Sequence, residues 1–170
     1  TLTFQCGTIP TAALKAWVTW EDVEDVTPLP YLTFSSPEAF TLSVNNATKN
    51  WDGTLQYSTD TVNWSEWDGT TTLNSVGNKL YLRGIGNSEI TGYYRPENSR
   101  WVLTGNNIQC IGNIENLLDH QTVSAGEHPV MAKNCYDCMF YCCSSLTTAP
   151  ELPATMLTSQ CYRFMFRGCT

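Results

Sequence analysis

The residue types in this chain that could do chemistry are its cysteines, histidines, clustered acids and aromatics. There are eight cysteines: Cys6, Cys110, Cys135, Cys138, Cys142, Cys143, Cys161 and Cys169. Cys135-x-x-Cys138 has the spacing of half a zinc site. No second Cys-x-x-Cys follows it, and no His-x-x-x-His, so no metal is expected. An even count in a short secreted chain points to disulfides. The competing reading is buried free thiols, which behave as small hydrophobes. Vicinal Cys142 and Cys143 are expected to point one thiol inward and one outward. His120 and His128 are the only histidines. A Cys/His nucleophile pair needs one of them beside an accessible thiolate. Both fall in a stretch that reads as loop, without an orienting residue or an oxyanion motif. No catalytic residue and no cofactor is therefore expected. Asp52, Asp60 and Asp68 lack the EF-hand spacing and its closing Glu, and read as turn formers.

The aromatics Trp51, Trp64, Trp67, Tyr93, Tyr94 and Trp101 form a second set. A flat exposed ring matches the apolar face of a sugar, so such residues can bind carbohydrate. A small β domain also needs several aromatics in its core. Trp101 and Trp64 are expected inside. Trp51, Trp67, Tyr93 and Tyr94 are the candidate ligand-binding aromatics. Asn46-Ala47-Thr48 and Asn63-Trp64-Ser65 match the glycosylation sequon, a pattern common by chance.

The elements that must position these residues follow from composition and pattern. With 170 residues, the chain has room for one large or two small domains. The net charge of −7 argues against nucleic acid, whose phosphates need a basic patch. No apolar run approaches the length of a membrane span. The start, Thr1-Leu2-Thr3-Phe4-Gln5, has neither a basic nor an apolar signal region. Either a signal has been removed or the protein is used without export.

Residues 1–30 read as a lead-in or anchor. Thr11 to Trp17 could form a short helix, and Trp17 to Trp20 a strand. Thr27-Pro28-Leu29-Pro30 marks a boundary, because the prolines prevent regular pairing. Residues 31–105 alternate apolar and polar side chains in short runs: Tyr31 to Phe34, Phe40 to Val44, Leu55 to Tyr57, Lys79 to Arg83 and Arg100 to Thr104. Turn signals separate them at Asn45-Asn46, Trp51-Asp52-Gly53, Asp68-Gly69, Gly77-Asn78 and Gly84 to Gly86. The pattern predicts a mainly β fold with a small antiparallel β-sandwich. Residues 106–134 form a junction, with a strand from Ile108, a short apolar helical turn to Leu118 and a loop from His120 to Pro129. This segment could cap a stack of repeats.

Residues 135–170 hold two passes of one pattern. Cys135-Tyr136-Asp137-Cys138-Met139-Phe140-Tyr141-Cys142-Cys143 is followed, at a spacing of 26, by Cys161-Tyr162-Arg163-Phe164-Met165-Phe166-Arg167-Gly168-Cys169. A fixed period of this size marks stacked repeats. Equivalent positions then form ladders: Cys135 over Cys161, Tyr136 over Tyr162, Met139 over Met165, Phe140 over Phe166 and Cys143 over Cys169. Leu146 joins the same buried set. Because the second pass stops at its last Cys, the sequence reads as the front end of a longer array.

Phe140-x-x-Cys143-x-Ser145-Leu146-Thr147 resembles the core of the BspA-like leucine-rich repeat. Met165-Phe166-Arg167-Gly168-Cys169-Thr170 begins it again. Leu146-Thr147-Thr148-Ala149-Pro150-Glu151-Leu152-Pro153-Ala154-Thr155 is typical of long arrays from gut bacteria and their phages. The resemblance covers about residues 130–170. Cys142 departs from it where the second pass has Gly168, and Met156 interrupts the usual Thr-Thr-Leu. Separately, Tyr57-Ser58-Thr59-Asp60-Thr61-Val62-Asn63-Trp64 resembles a Tyr-Ser-x-Asp-Gly-x-x-Trp hairpin of bacterial β-sandwich modules, with Thr61 in place of Gly. In it Tyr57 and Trp64 are expected to face one another.

The resemblance implies an Ig-like β-sandwich followed by the start of a leucine-rich-repeat solenoid, and surface display with binding of proteins or glycans. It implies no catalytic residues. The expectation is a non-enzymatic phage virion decoration or fibre protein. Its N-terminal part would attach to capsid or tail, and its repeats would face the host. A bacterial cell-surface adhesin and a carbohydrate-binding module are the alternatives. Protein partners, host glycans and a homo-oligomer are expected, although no heptads specify the oligomer.

Overall fold

The computed structural model describes residues 29–92 and 100–169. The helix or strand expected within residues 11–20, Cys6, Tyr93 and Tyr94 lie outside the described residues. The fold is mainly β, with two antiparallel-rich sheets. The larger sheet contains β1 (Leu32–Ser35), β3 (Thr54–Ser58), β4 (Ser65–Glu66), β6 (Lys79–Ile85), β8 (Ile108–Ile111) and β9 (Leu146–Thr148), in the order β4-β3-β6-β1-β8-β9. The smaller sheet is β5 (Leu73–Asn74), β2 (Thr41–Val44) and β7 (Trp101–Thr104), in that order. Among the described residues, every pairing of two strands is antiparallel except β8 with β9.

Alternation sets the faces, because successive strand side chains point to opposite sides. Leu32 and Phe34 of β1, Leu80 and Leu82 of β6, and Ile108 and Cys110 of β8 are all buried. Leu42 and Val44 of β2 and Trp101 and Leu103 of β7 are buried on the other sheet. Phe34 and Trp101 meet at 6.4 Å between ring centroids, so the two sheets share a core.

That core continues into the C-terminal third. Trp51, Trp67, Trp101, Phe140 and Phe166 form a chain of neighbouring rings with centroid separations of 5.1, 5.5, 6.1 and 5.7 Å. Such ring pairs add to the burial energy through edge-to-face and offset geometry. Apart from Cys138, the buried apolar residues from Leu32 to Met165 belong to one hydrophobic cluster.

The hairpin turn at Gly77-Asn78 has positive φ at both residues, 56° and 62°. That is the backbone a tight two-residue hairpin needs. Gly84, grouped by sequence with the turn signals, instead lies inside β6. A Cβ there would sit 1.6 Å from the Leu117 carbonyl oxygen. Glycine at this position lets the helical segment approach the sheet, which a strand glycine commonly permits.

The stretch from His120 to Ser124, expected as loop, is helical within α1 (Asn116–Ser124). The helix breaks at Asp119, whose backbone is extended (φ −152°, ψ 101°). Asp119 Oδ1 accepts hydrogen bonds from the Gln121 and Thr122 amides at 2.9 and 3.2 Å. Asp119 thus caps a second helical turn, a role in which Asp is favoured. Among the described residues, no helix is long and apolar enough to cross a membrane.

Candidate functional site

The two passes are built from backbone turns that repeat every four residues. Asn134, Cys138 and Cys142 have positive φ in the first pass, and Gln160, Phe164 and Gly168 have it at the equivalent places in the second. This left-handed conformation suits glycine, which explains Gly168 and makes Cys142 its strained counterpart.

Hydrogen bonds divide by parity. The amides of Asp137, Met139, Tyr141 and Cys143 turn back on Asn134, Tyr136, Cys138 and Phe140. Those of Tyr136, Cys138, Phe140 and Cys142 cross to the carbonyls of Cys161, Arg163, Met165 and Arg167, at 2.8 to 2.9 Å. Side chains stack in register with this ladder. Tyr136 lies on Tyr162 with centroids 5.4 Å apart and planes at 4°, and Phe140 on Phe166 at 5.7 Å and 11°. Cys135, Met139, Cys143, Leu146, Cys161 and Met165 are buried, and Tyr162, Phe166 and Cys169 are partly buried.

The first pass presents its own row of carbonyls on the opposite side, and the β module satisfies them. Cys135 O accepts from the Ile90 and Thr91 amides at 2.9 and 3.0 Å. Asp137 O accepts from Thr91 Oγ1 at 2.9 Å. Met139 O accepts from the Trp101 amide at 2.7 Å. Tyr141 O accepts from the Arg100 guanidinium at 3.1 Å.

Trp101 occupies the place that Phe140 has against the second pass. Its amide bonds Met139 as the Phe140 amide bonds Met165. Its carbonyl accepts the Cys143 thiol at 3.1 Å, as Phe140 O accepts the Cys169 thiol at 2.9 Å. A two-sided accounting of backbone groups is thus closed on the β side. On the far side, the amides of Gln160, Tyr162, Phe164, Phe166 and Gly168 have no hydrogen-bond partner among the described residues.

One polar rung escaped the sequence reading. Asp137 is fully buried, and the Arg163 guanidinium grips its carboxylate with Nε 3.1 Å from both oxygens. The signal was present as opposite charges at equivalent positions of the period.

Burial pushes the Cys138 thiol up to about 12, helped by its hydrogen bond to Asp137, and the Cys143 thiol up to about 11. Cys135 rises further for the same reason. Reactive cysteines need the reverse, an accessible and stabilised thiolate. Cys110, Cys135, Cys138, Cys142, Cys143, Cys161 and Cys169 are free thiols, and Cys142 is exposed. Among the described residues, no group of three or more His, Cys, Asp or Glu could hold a metal ion.

The candidate aromatics separate differently from expectation. Trp51 and Trp67 are only 4% and 1% exposed, packed against each other in the core with their ring planes tilted at 33°. Neither offers a face to a ligand. Trp64, expected in the core, lies partly exposed on the outside of the larger sheet. It does not face Tyr57, which pairs with Ser65 instead. Its ring meets Tyr31 at 5.7 Å, and the Arg83 guanidinium covers it at 4.0 Å. Tyr31 in turn meets Tyr81 edge-on at 5.3 Å. Tyr31, Trp64, Tyr81 and Arg83 therefore form a partly exposed aromatic patch that alternation alone did not reveal. No family profile matches this chain, and neither a curated protein nor a solved structure matches it.

Proposed function

We propose that the protein is a non-enzymatic structural and binding protein, in which an Ig-like β-sandwich closes the front of a leucine-rich-repeat solenoid. In this reading it decorates a phage virion or forms part of a fibre. The β module attaches to capsid or tail, as a homo-oligomer, and the repeats face the host.

The observation that supports this most is the substitution of Trp101, Thr91 and Arg100 for a preceding pass. A module that satisfies one side of a stack in its own core acts as a terminal cap, which repeat arrays require. The amides of the second pass then form an ordered row suited to a further pass. Thiols raised by burial favour packing over nucleophilic chemistry. The resemblance of Phe140 to Thr147 to BspA-like repeats supplies the surface-display context.

Immunogold electron microscopy, with antibodies to the β module, tests the setting on particles and cells from the natural source. Label on virions is expected. Label confined to the cell envelope would favour a bacterial adhesin, and label confined to the cytosol would sink surface display.

The patch of Tyr31, Trp64 and Tyr81 favours carbohydrate binding as a second reading. Partly exposed rings on a rigid sheet are the features that bind sugar faces. On a glycan array, this reading expects binding that Trp64→Ala removes. Uniformly negative spots would discard it.

A further inference from the structure

A cavity of about 400 Å³ opens between the segment after α1 and the link joining the two passes. Pro129, Val130, Met131, Ala154 and Met156 give it apolar walls. At its floor stands Glu115, whose side chain is 1% exposed. A carboxylate in such a place is costly unless a donor or a cation accompanies it. The partner it has is His128, with Nδ1 2.8 Å from Oε2. His128 is an insecure partner, because its side chain is 47% exposed and it also lines a neighbouring cavity of about 340 Å³. The Tyr162 hydroxyl is buried without a hydrogen-bond partner among the described residues.

We infer that this cavity binds a small organic cation, with an ammonium head on Glu115 and an apolar body against Val130, Met131 and Met156. The ammonium replaces His128 as the donor to Glu115 and places a permanent positive charge beside the carboxylate. Its three N–H groups exceed what one carboxylate oxygen accepts, and both oxygens of Glu115 are acceptors. The net charge of −7 raises the local concentration of cations. The inference is independent of the surface-display reading, since it rests on no repeat beyond the second pass.

The test is calorimetric titration of the whole chain with phenethylammonium and with 2-phenylethanol, which keeps the apolar body and drops the charge. Saturable binding of the amine is expected, with the alcohol at least about tenfold weaker. Chemical shifts should change at the Met131 and Met156 methyls. Glu115→Gln should weaken the amine about tenfold or more and leave the alcohol unaffected. His128→Ala should bind the amine as well as the parent chain or better. Equal affinity for amine and alcohol, or no saturable binding of either, would overturn the site. The amine–alcohol comparison uses the unaltered chain, so it decides even if Glu115→Gln does not fold.

Discussion

Asp137 and Arg163 occupy equivalent positions of successive passes, and their side chains close a charged rung inside the stack, Asp137 being wholly buried. Removing one member of such a pair strands the other in a medium that solvates charge poorly. Arg163→Ala should therefore destabilise the protein by about 3 kcal/mol. The double variant Asp137→Leu, Arg163→Leu should cost less than the sum of the single changes. Denaturant titrations measure both. A loss below about 1 kcal/mol for Arg163→Ala would mean that the rung is solvated.

Phe140 touches Phe34, Trp101 and Phe166 and is fully buried. It joins the β module to both passes. Phe140→Ala should cost about 3 to 5 kcal/mol through lost burial and the cavity left behind. Urea unfolding should show one cooperative transition moved to lower denaturant. A shift worth under about 1 kcal/mol would contradict its place in the shared core.

Thr61 stands at φ 65°, at the position where the hairpin pattern it resembles has Gly. A β-branched residue is disfavoured there, because its Cβ crowds the neighbouring carbonyl. Thr61→Gly should stabilise by about 1 kcal/mol, the relief of strain exceeding the extra freedom of the unfolded glycine. An unchanged or lower thermal midpoint would contradict the turn geometry.

The carboxyl of Asp68 accepts from the Thr70 hydroxyl and amide and from the Thr71 amide and hydroxyl. The Thr70 side chain and then the Thr71 amide hold its pKa down to about 2, from an ordinary 3.8. Asp60 is lowered in the same way, first by the Asn63 side chain. A depressed folded pKa contributes stability above the unfolded value, which is lost as pH falls through the folded one. The Asp68 turn should thus hold at pH 5 and weaken between about pH 4 and pH 2. Amide resonances of Thr70 and Thr71 report this directly. Asp68→Asn should remove the pH dependence, and its persistence would contradict the assignment.

Several features were legible in the sequence for plain physical reasons. Leu32 with Phe34 and Leu80 with Leu82 alternate, and a strand pointing every second side chain inward leaves that trace. The recurrence of Tyr136 as Tyr162 and Phe140 as Phe166 is the offset at which these rings stack. Other features depend on partners that local pattern does not encode. Gly84 looks like a turn residue until the Leu117 carbonyl is seen beside it. Trp51, Trp64 and Trp67 lie within one turn-rich stretch, so their faces follow from register. The pairing of Tyr57 with Ser65 sends Trp64 outward. Asp119 follows the apolar turn read as ending at Leu118, and its side chain starts the next one.

Hydrogen exchange, resolved amide by amide on the 170-residue chain, tests most directly the stack that the β module caps. The amides of Tyr136, Cys138, Phe140 and Cys142 cross to the second pass and should exchange slowly, near the rate of global unfolding. Those of Tyr162, Phe164, Phe166 and Gly168, at equivalent places, should exchange fast. Equal protection of the two sets, or fast exchange at Phe140, would contradict the directed ladder and the capping role of Trp101.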